Sequence, residues 1–405
     1  MRILFLNPVG TLGGAERSLL ELLAILSEER PQWKIVLITG DEGPLVQAAM
    51  EQGIKVEVLP LPGGIKSFGD SGIFGAGGVW RLAAMGLSFP GIFLGLWAYI
   101  LTLRRHINQF KPDVIHSNGF KFHVILGLFG KVIPKTIWHA RDFVFPRKIV
   151  GKILRNVCQE PDVVVANSRA VALDWDKCIP GVAKKVVYNS VSIPDLDVGA
   201  ETTSSLYGPN PSCALRVGLV ASYAKWKGHQ VFLKAVRILA THFPSSDVQF
   251  FVVGGPLYST GGSQWTRIQL ENLAGILGVS ERVVFLPHQT DIDAVYRGLN
   301  VVVHASTKPE PFGRTIVEGM AYEKAIVATL DGGVREVVDD GDNALTCCPG
   351  DPEDLARKIA MVLADHGLRA RLGVAGRQKV IGHFSRAALK GSVVGLYEQL
   401  LGAMP

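Results

Sequence analysis

Short, continuous apolar runs recur along the chain, many of them β-branched: "RILFLNP", "KIVLIT", "KVEVLPL", "DVIHSN", "KTIWHA", "VVVANS" and "KVVYNS". Between them lie longer segments with helical apolar spacing, such as "AERSLLELLAILSEE" and "PLVQAAMEQG". Strands without polar alternation need both faces covered, so this alternation predicts a parallel sheet with helices on each side. The pattern stops at 193–213, a stretch rich in Pro, Gly, Ser and Thr that reads as a linker. It restarts with "LRVGLVASY", "VQFFVVGG", "RVVFLP", "VVVHAS", "AIVATL" and "NALTCC". The expectation is α/β: two tandem Rossmann-like, doubly wound domains over 1–192 and 214–384, with a closing helix near 385–405 packing back on the first. Such sheets bind ligands at the carboxyl ends of their strands, so two domains facing each other are expected to enclose a cleft.

Composition narrows the possible partners. The chain has 405 residues, 48% hydrophobic and 19% charged, enough for two or three domains with their own cores. A formal charge of +6 favours anionic partners such as phosphates or acidic lipid surfaces. No basic run is interleaved with aromatics, which argues against nucleic acid. Five cysteines without CxxC spacing argue against a disulfide framework or a zinc site and for a reducing, cytoplasmic compartment. The start, "MRILFLNPVG", lacks the layout of a cleavable signal. A mean hydropathy of +0.25 is high for a soluble protein. The stretch 82–103, "LAAMGLSFPGIFLGLWAYILTL", has no charged residue and is followed by Arg104, Arg105 and His106. Three readings stand for it: a membrane span, a helix docking on an anionic membrane surface, and a buried helix. Pro90 and the flanking strands count against the span.

Three stretches carry candidate chemistry. "NPVGTLGGAERSLL" sets Gly13 and Gly14 ahead of a helix, where backbone N–H groups and the helix dipole can face an anion, or where the glycines simply make a turn. "KWKGH" puts Lys225, Lys227 and Gly228 between a strand and a helix, a place for a lysine to neutralise a phosphate. "PEPFGRTIVEGM" holds Glu310 and Glu318 eight positions apart. Pro311 keeps Glu310 in the loop, and the second carboxylate lies roughly 12 Å along if the intervening chain is helical. That separation resembles hexose to ribose in a sugar nucleotide. The N–H groups near Phe312 to Thr315 would then meet the diphosphate between them. A helix-capping Glu310 and a Glu318 paired with a lysine remain the plain alternatives.

Taken together, "GGAERS", "DVIHSN", "IWHARD", "VVVANSRAV", "VVYNSV", "KWKGH", "EPFGRTIVEGMA", "DGGVREVV" and "HFSRAALKGSVVGLYEQLL" resemble the retaining glycosyltransferases of family 4, which have the GT-B fold. The resemblance runs nearly end to end, and E-x(7)-E around "PFG" is its most specific mark. It implies that Glu310 contacts hydroxyls of the transferred sugar and Glu318 the ribose. Lys227 and the backbone at Phe312 and Gly313 would hold the diphosphate, with Gly13 and Gly14 closing over it and Arg314 and Thr315 beside it. His139 would face the cleft, bonding the donor sugar or orienting the acceptor. His116, Asn118, Glu16 and Arg141 are weaker acceptor-side candidates, and His116 reads equally well as packing. In "DGGVREVV", Gly332 and Gly333 lie near the donor or make a plain turn.

The implied activity is transfer of a sugar from a nucleotide-diphosphate sugar, by default a UDP-sugar, to a glycan or lipid-linked acceptor in envelope polysaccharide or glycolipid synthesis. The implied reaction retains the anomeric configuration and needs no cofactor and no metal. One departure stands out: many relatives carry an arginine five or six residues before the "KG" lysine, where this chain has Ala221 and Ser222. Lys225 and Arg314 are the possible substitutes. A sugar-nucleotide epimerase of the same architecture and a silent, membrane-associated partner of a polysaccharide assembly complex are the alternatives.

Overall fold

The computed structural model describes residues 1–63, 78–129, 134–156, 159–197, 206–207, 215–243, 248–256 and 262–402, with the side chains of helix Gly78–Phe110 described from residue 94 onward. The chain divides into two units, Met1–Ser190 with Leu389–Pro405, and Val191–Ala388. The first unit thus ends two residues before the sequence boundary at 192. Residues 385–388 group with the second unit, although helix Arg386–Gly402 mostly belongs to the first.

The first unit is built on β1 (Arg2–Asn7), β2 (Lys34–Thr39), β3 (Lys55–Val58), β4 (Val114–Asn118), β5 (Lys135–Ala140), β6 (Val163–Ala166) and β7 (Ala183–Val186). Among the described residues these form a seven-stranded sheet in the order β3-β2-β1-β4-β5-β6-β7, and every pairing is parallel. Helices Gly14–Glu29 and Arg386–Gly402 cover one face through a core that includes Phe5, Leu19, Leu23, Ile137, Val393 and Tyr397. Tyr99, Leu103 and Ile107 of helix Gly78–Phe110 cover the other face beside Phe122 and Ile125.

The second unit is built on β8 (Leu215–Val220), β9 (Val248–Val253), β10 (Val283–Leu286), β11 (Val301–His304), β12 (Ala325–Thr329) and β13 (Leu345–Cys347). Its order is β10-β9-β8-β11-β12-β13, again parallel throughout. The all-apolar run Val301, Val302 and Val303 lies in the middle of this sheet and is buried on both sides. Burial stabilises each such side chain by about 1.5–3 kcal/mol relative to exposure, which is why the run needs helices on each face. Each apolar run singled out in the sequence contains one of these strands, except "KVVYNS", which overlaps only the last two residues of β7.

In both sheets the strand order reverses once, between β1 and β4 and between β8 and β11. At such a switch point the flanking connections leave on opposite faces and open a crevice at the strand ends. Each candidate stretch follows, or lies on, a strand at or next to one of these reversals.

Most of the expected linker 193–213 lies outside the described residues. Tyr207 is described and is seated in the second unit. Its hydroxyl donates to the Val295 carbonyl at 2.7 Å, and its ring meets Phe251 edge-on at 4.7 Å. Gly298 makes room for it, since a Cβ there would fall 2.2 Å from the ring. Much of 82–103 is likewise outside the described side chains, Phe93 included. Its C-terminal part is two-sided: Tyr99 and Leu103 are buried, while Leu94 and Trp97 are 65% and 56% exposed. Among the described residues no helix is long and apolar enough to cross a membrane. Cys347 is buried and Cys348 exposed, and Cys158 and Cys213 lie outside the described residues.

Candidate active site

In the second unit the chemistry gathers at the ends of β8 and β11. Residues Lys225–Lys227 form a single 3-10 turn that ends in left-handed Gly228, which caps helix His229–Leu239. Gly228 is required there. Its φ is 77°, and a Cβ would fall 1.8 Å from the Ala305 carbonyl oxygen. The turn is tied to the β11 end by the Thr307 amide, which donates to the Trp226 carbonyl at 2.7 Å. This contact delivers Lys227 to Glu310: the ammonium donates to Glu310 Oε2 at 2.6 Å and lies 4.2 Å from the centre of the Trp226 ring.

Glu310 is buried, and three donors meet on one of its oxygens. Besides Lys227, His304 Nε2 lies 3.1 Å and the Ser306 hydroxyl 3.1 Å from Oε2. Among the described residues no hydrogen bond reaches Oε1. Burial by itself would raise the carboxyl pKa; the Lys227 charge and the His304 contact outweigh it and hold the group well below the usual carboxylate range. Glu310 is therefore an ionised carboxylate with one oxygen anchored and one open.

The loop carrying Glu310 is fixed from below by the glycine pair of "DGG". The Gly333 amide donates to the Glu310 carbonyl at 2.7 Å. Gly332, at φ 64°, packs so closely that a Cβ would lie 2.4 Å from that same oxygen. Gly313, left-handed at φ 93°, then starts helix Arg314–Ala321. Glu318 on this helix is also buried and ion-paired, though not to a lysine: Arg314 Nε donates to Oε1 at 2.6 Å and the Tyr296 hydroxyl to Oε2 at 2.7 Å. Phe312 is a core residue, edge-on to Phe384 at 5.6 Å. Thr315 is the second residue of the helix, half-buried.

The first unit has its own polar cluster where β1, β4 and β5 end. The parallel register sets Phe5 opposite His116 and Asn118 opposite His139. His116, Asn118 and His139, two residues apart along their strands, therefore share a face. Asn118 donates to Asn7 Oδ1 at 2.6 Å and accepts from Arg141 Nε. Arg141 Nη1 also reaches Asn189 Oδ1 at 2.8 Å. His116 Nε2 lies 3.0 Å from His139 Nδ1, and His116 Nδ1 lies 2.7 Å from the Tyr397 hydroxyl. His139 is 3% exposed, and its Nε2 has no partner among the described residues. Burial first, then the Arg141 charge, holds both imidazoles neutral, with pKa values well below their ordinary value.

Gly13 caps helix Gly14–Glu29, but its amide is already engaged: it donates to Glu16 Oε2 at 3.2 Å. The buried Glu16 carboxyl, its pKa raised by burial, thus occupies the turn where the sequence left a place for a ligand anion.

The comparisons with known proteins follow this geometry. The model described as "Glycosyltransferase Family 4" matches residues 12–193, and the model "Glycosyl transferases group 1" matches residues 214–379. The chain belongs to the family 4, group 1 glycosyltransferases. It is 37% identical over 139 residues to the lipopolysaccharide core biosynthesis glycosyltransferase LpsE of Rhizobium meliloti, covering 34% of this chain and 39% of that one. It is 32% identical over 186 residues to the D-inositol 3-phosphate glycosyltransferase of Corynebacterium jeikeium, covering 45% and 43%. The matched stretches thus span less than half the length of either relative.

Solved structures share the GT-B fold over the whole chain. HepE of Anabaena, solved in complex with UDP-glucose, superposes with a TM-score of 0.78 at 22% identity, over 98% of this chain and 100% of that one. Sucrose-phosphate synthase of Thermosynechococcus elongatus superposes with a TM-score of 0.77 at 18% identity, over 100% of each.

Within this family frame the structure adds residues that the sequence reading passed over. His304 and Ser306 sit in "VVVHAS" at the end of β11, as His116 sits in "DVIHSN" near the end of β4; the repeated strand-end histidine was the available signal. Tyr296 and Tyr397 carried no such signal. Where many family members carry the second phosphate-binding arginine, this chain has the part-exposed Ala221 and Ser222, and the strand-end backbone packs so closely there that a Cβ on Gly254 would fall 1.9 Å from the Ala221 carbonyl oxygen. Both expected substitutes have partners, Arg314 in Glu318 and Lys225 in Trp265, its ammonium 5.3 Å from the ring centre.

Proposed function

We propose that the chain transfers a sugar from a nucleotide-diphosphate sugar, a UDP-sugar, to a glycan or lipid-linked acceptor in envelope glycan synthesis, with retention at the anomeric carbon and without a metal ion. The observation that carries this reading is the Glu310 carboxylate, ionised and anchored through Oε2 with Oε1 open. A buried carboxylate oxygen is a strong acceptor for sugar hydroxyls. Lys227 beside it supplies positive charge for a leaving diphosphate, and Glu318 serves the ribose. The HepE complex with UDP-glucose, on the same fold, supports uridine as the base.

No residue of the second unit need act as a nucleophile. The acceptor attacks on the face from which the diphosphate departs, and a departing phosphate oxygen takes the acceptor proton. The cluster of His139, Arg141 and Asn118 in the first unit is assigned to the acceptor side, and the apolar surface at Leu94 and Trp97 to an anionic membrane that carries the acceptor.

Calorimetric titration with UDP, GDP, ADP and their glucose conjugates, with and without EDTA, tests the donor. UDP and UDP-glucose are expected to bind best, unaffected by EDTA. Binding to none of them, or binding abolished by EDTA, refutes the reading. Incubation with the donor alone is expected to yield no epimer.

A further inference from the structure

The last helix of the chain reaches into the first unit's polar cluster, and the hydrogen bonds there can be assigned a direction. The Tyr397 hydroxyl, His116 and His139 form a buried series, with Tyr397 Oη 2.7 Å from His116 Nδ1 and His116 Nε2 3.0 Å from His139 Nδ1. Tyr397 and His116 are both fully buried. Two neutral imidazoles in series admit only two proton arrangements. In one, every proton points from Tyr397 towards His139, which leaves His139 protonated on Nε2. In the other, every proton points back, which leaves Nε2 bare.

Two independent observations choose between them. First, Tyr397 has no other acceptor among the described residues, so in the reversed arrangement its O–H would be buried without a partner. Burial keeps that phenol protonated, its pKa well above the ordinary value. Second, Arg141 Nη2 lies 3.4 Å from His139 Nδ1. Guanidinium nitrogens only donate, so Nδ1 must present its lone pair. The Arg141 charge also repels a proton placed there.

We propose that Tyr397 and His116 are positioning residues that hold His139 with its proton on Nε2, so that His139 presents a hydrogen-bond donor there and not a base. The unpartnered, buried Nε2 is the end of the series, and His139 borders a half-apolar cavity of about 10 Å³, room for about one water, walled by Ser18, Leu22, Val187, Asn189 and Val393 among others. An N–H there can donate to the oxygen of one water in that cavity. It takes no proton, because Nε2 already carries one and Nδ1 is occupied. The ring packing is consistent with a rigid series: Phe5 stacks on His116 at 4.8 Å, and Trp33 meets Tyr397 edge-on at 6.1 Å. The helix that ends the chain is therefore part of the site's hydrogen-bonding logic, 281 residues from the histidine it contacts.

The tautomer is a property of the ligand-free protein and stands apart from the proposed transferase function. The test is long-range proton–nitrogen NMR of the full chain labelled on its 10 histidines, with His139 assigned through His139→Gln. The expected result is a pyrrole-like Nε2 and a pyridine-like Nδ1 on His139. Tyr397→Phe keeps the ring and removes the donor, and it is expected to move the His116 and His139 nitrogens together towards a tautomer mixture. His116→Gln, whose amide can still donate, is expected to keep the Nε2–H form. A His139 protonated on Nδ1 in the wild-type protein, or rings that Tyr397→Phe leaves unmoved, overturns the proposal. Either result leaves the transferase reading standing, and failure of the nucleotide titration leaves the tautomer standing.

Discussion

Replacing Lys227 by methionine removes the cation from a buried pair while keeping most of the side-chain volume. Glu310 would keep His304 and Ser306 but lose its closest donor, at 2.6 Å, with the two side chains only 18% and 10% exposed. Removing one partner of a buried ion pair costs about 3–5 kcal/mol; the two remaining bonds put this site at the lower end, about 3 kcal/mol. The cost depends on pH in a direction that the shift dictates. The Glu310 carboxyl is depressed in the folded protein, so its stabilisation is fully present above the unfolded carboxylate pKa of about 4.3 and is lost as pH falls below that value. In Lys227→Met the folded pKa rises, so the gap between wild type and variant narrows by up to about 1.4 kcal/mol per pH unit below that point. Because a chain of two units need not unfold in one step, the assay is hydrogen exchange of peptides from β11 and helix Arg314–Ala321, at neutral pH and in acid. The same substitution in a Glu310→Gln background supplies the coupling energy. A cost that is equal in both backgrounds, or that does not shrink in acid, refutes the argument that Lys227 acts on this carboxylate.

Two further outcomes are expected. Gly228→Ala puts a methyl 1.8 Å from the Ala305 carbonyl oxygen at a φ of 77°, so the Lys225–Lys227 turn must move; the variant is expected to lose at least about 1 kcal/mol of local stability, read by hydrogen exchange of helix His229–Leu239, and most nucleotide binding in calorimetry. Trp97→Ser at the exposed end of helix Gly78–Phe110 is expected to leave nucleotide binding unchanged and to reduce co-sedimentation with anionic liposomes. A variant that pellets like wild type removes the membrane assignment.

The fold was legible in the sequence for a local reason. A run such as Val301–Val302–Val303 has no polar face, so it has to sit in a parallel sheet between helices, and such runs contain strands at their expected places. Pro311 and Gly313 likewise mark the end of a loop and the start of a helix, which places Glu310 outside that helix and Glu318 inside it. What local pattern could not supply was the partner of each charge. Glu318 is answered by Arg314 one turn away, a spacing the sequence contains. Its second partner, Tyr296, lies 22 residues upstream. Glu310 is ionised because β8 and β11 are neighbours in the sheet and bring Lys227 across 83 residues of chain. The tautomer of His139 depends on a tyrosine in the final helix, which no periodicity near either residue announces. Hydrophobic patterning acts over a few residues and specifies elements. Protonation and hydrogen-bond direction depend on groups within about 3 Å, and only the folded chain decides which groups those are.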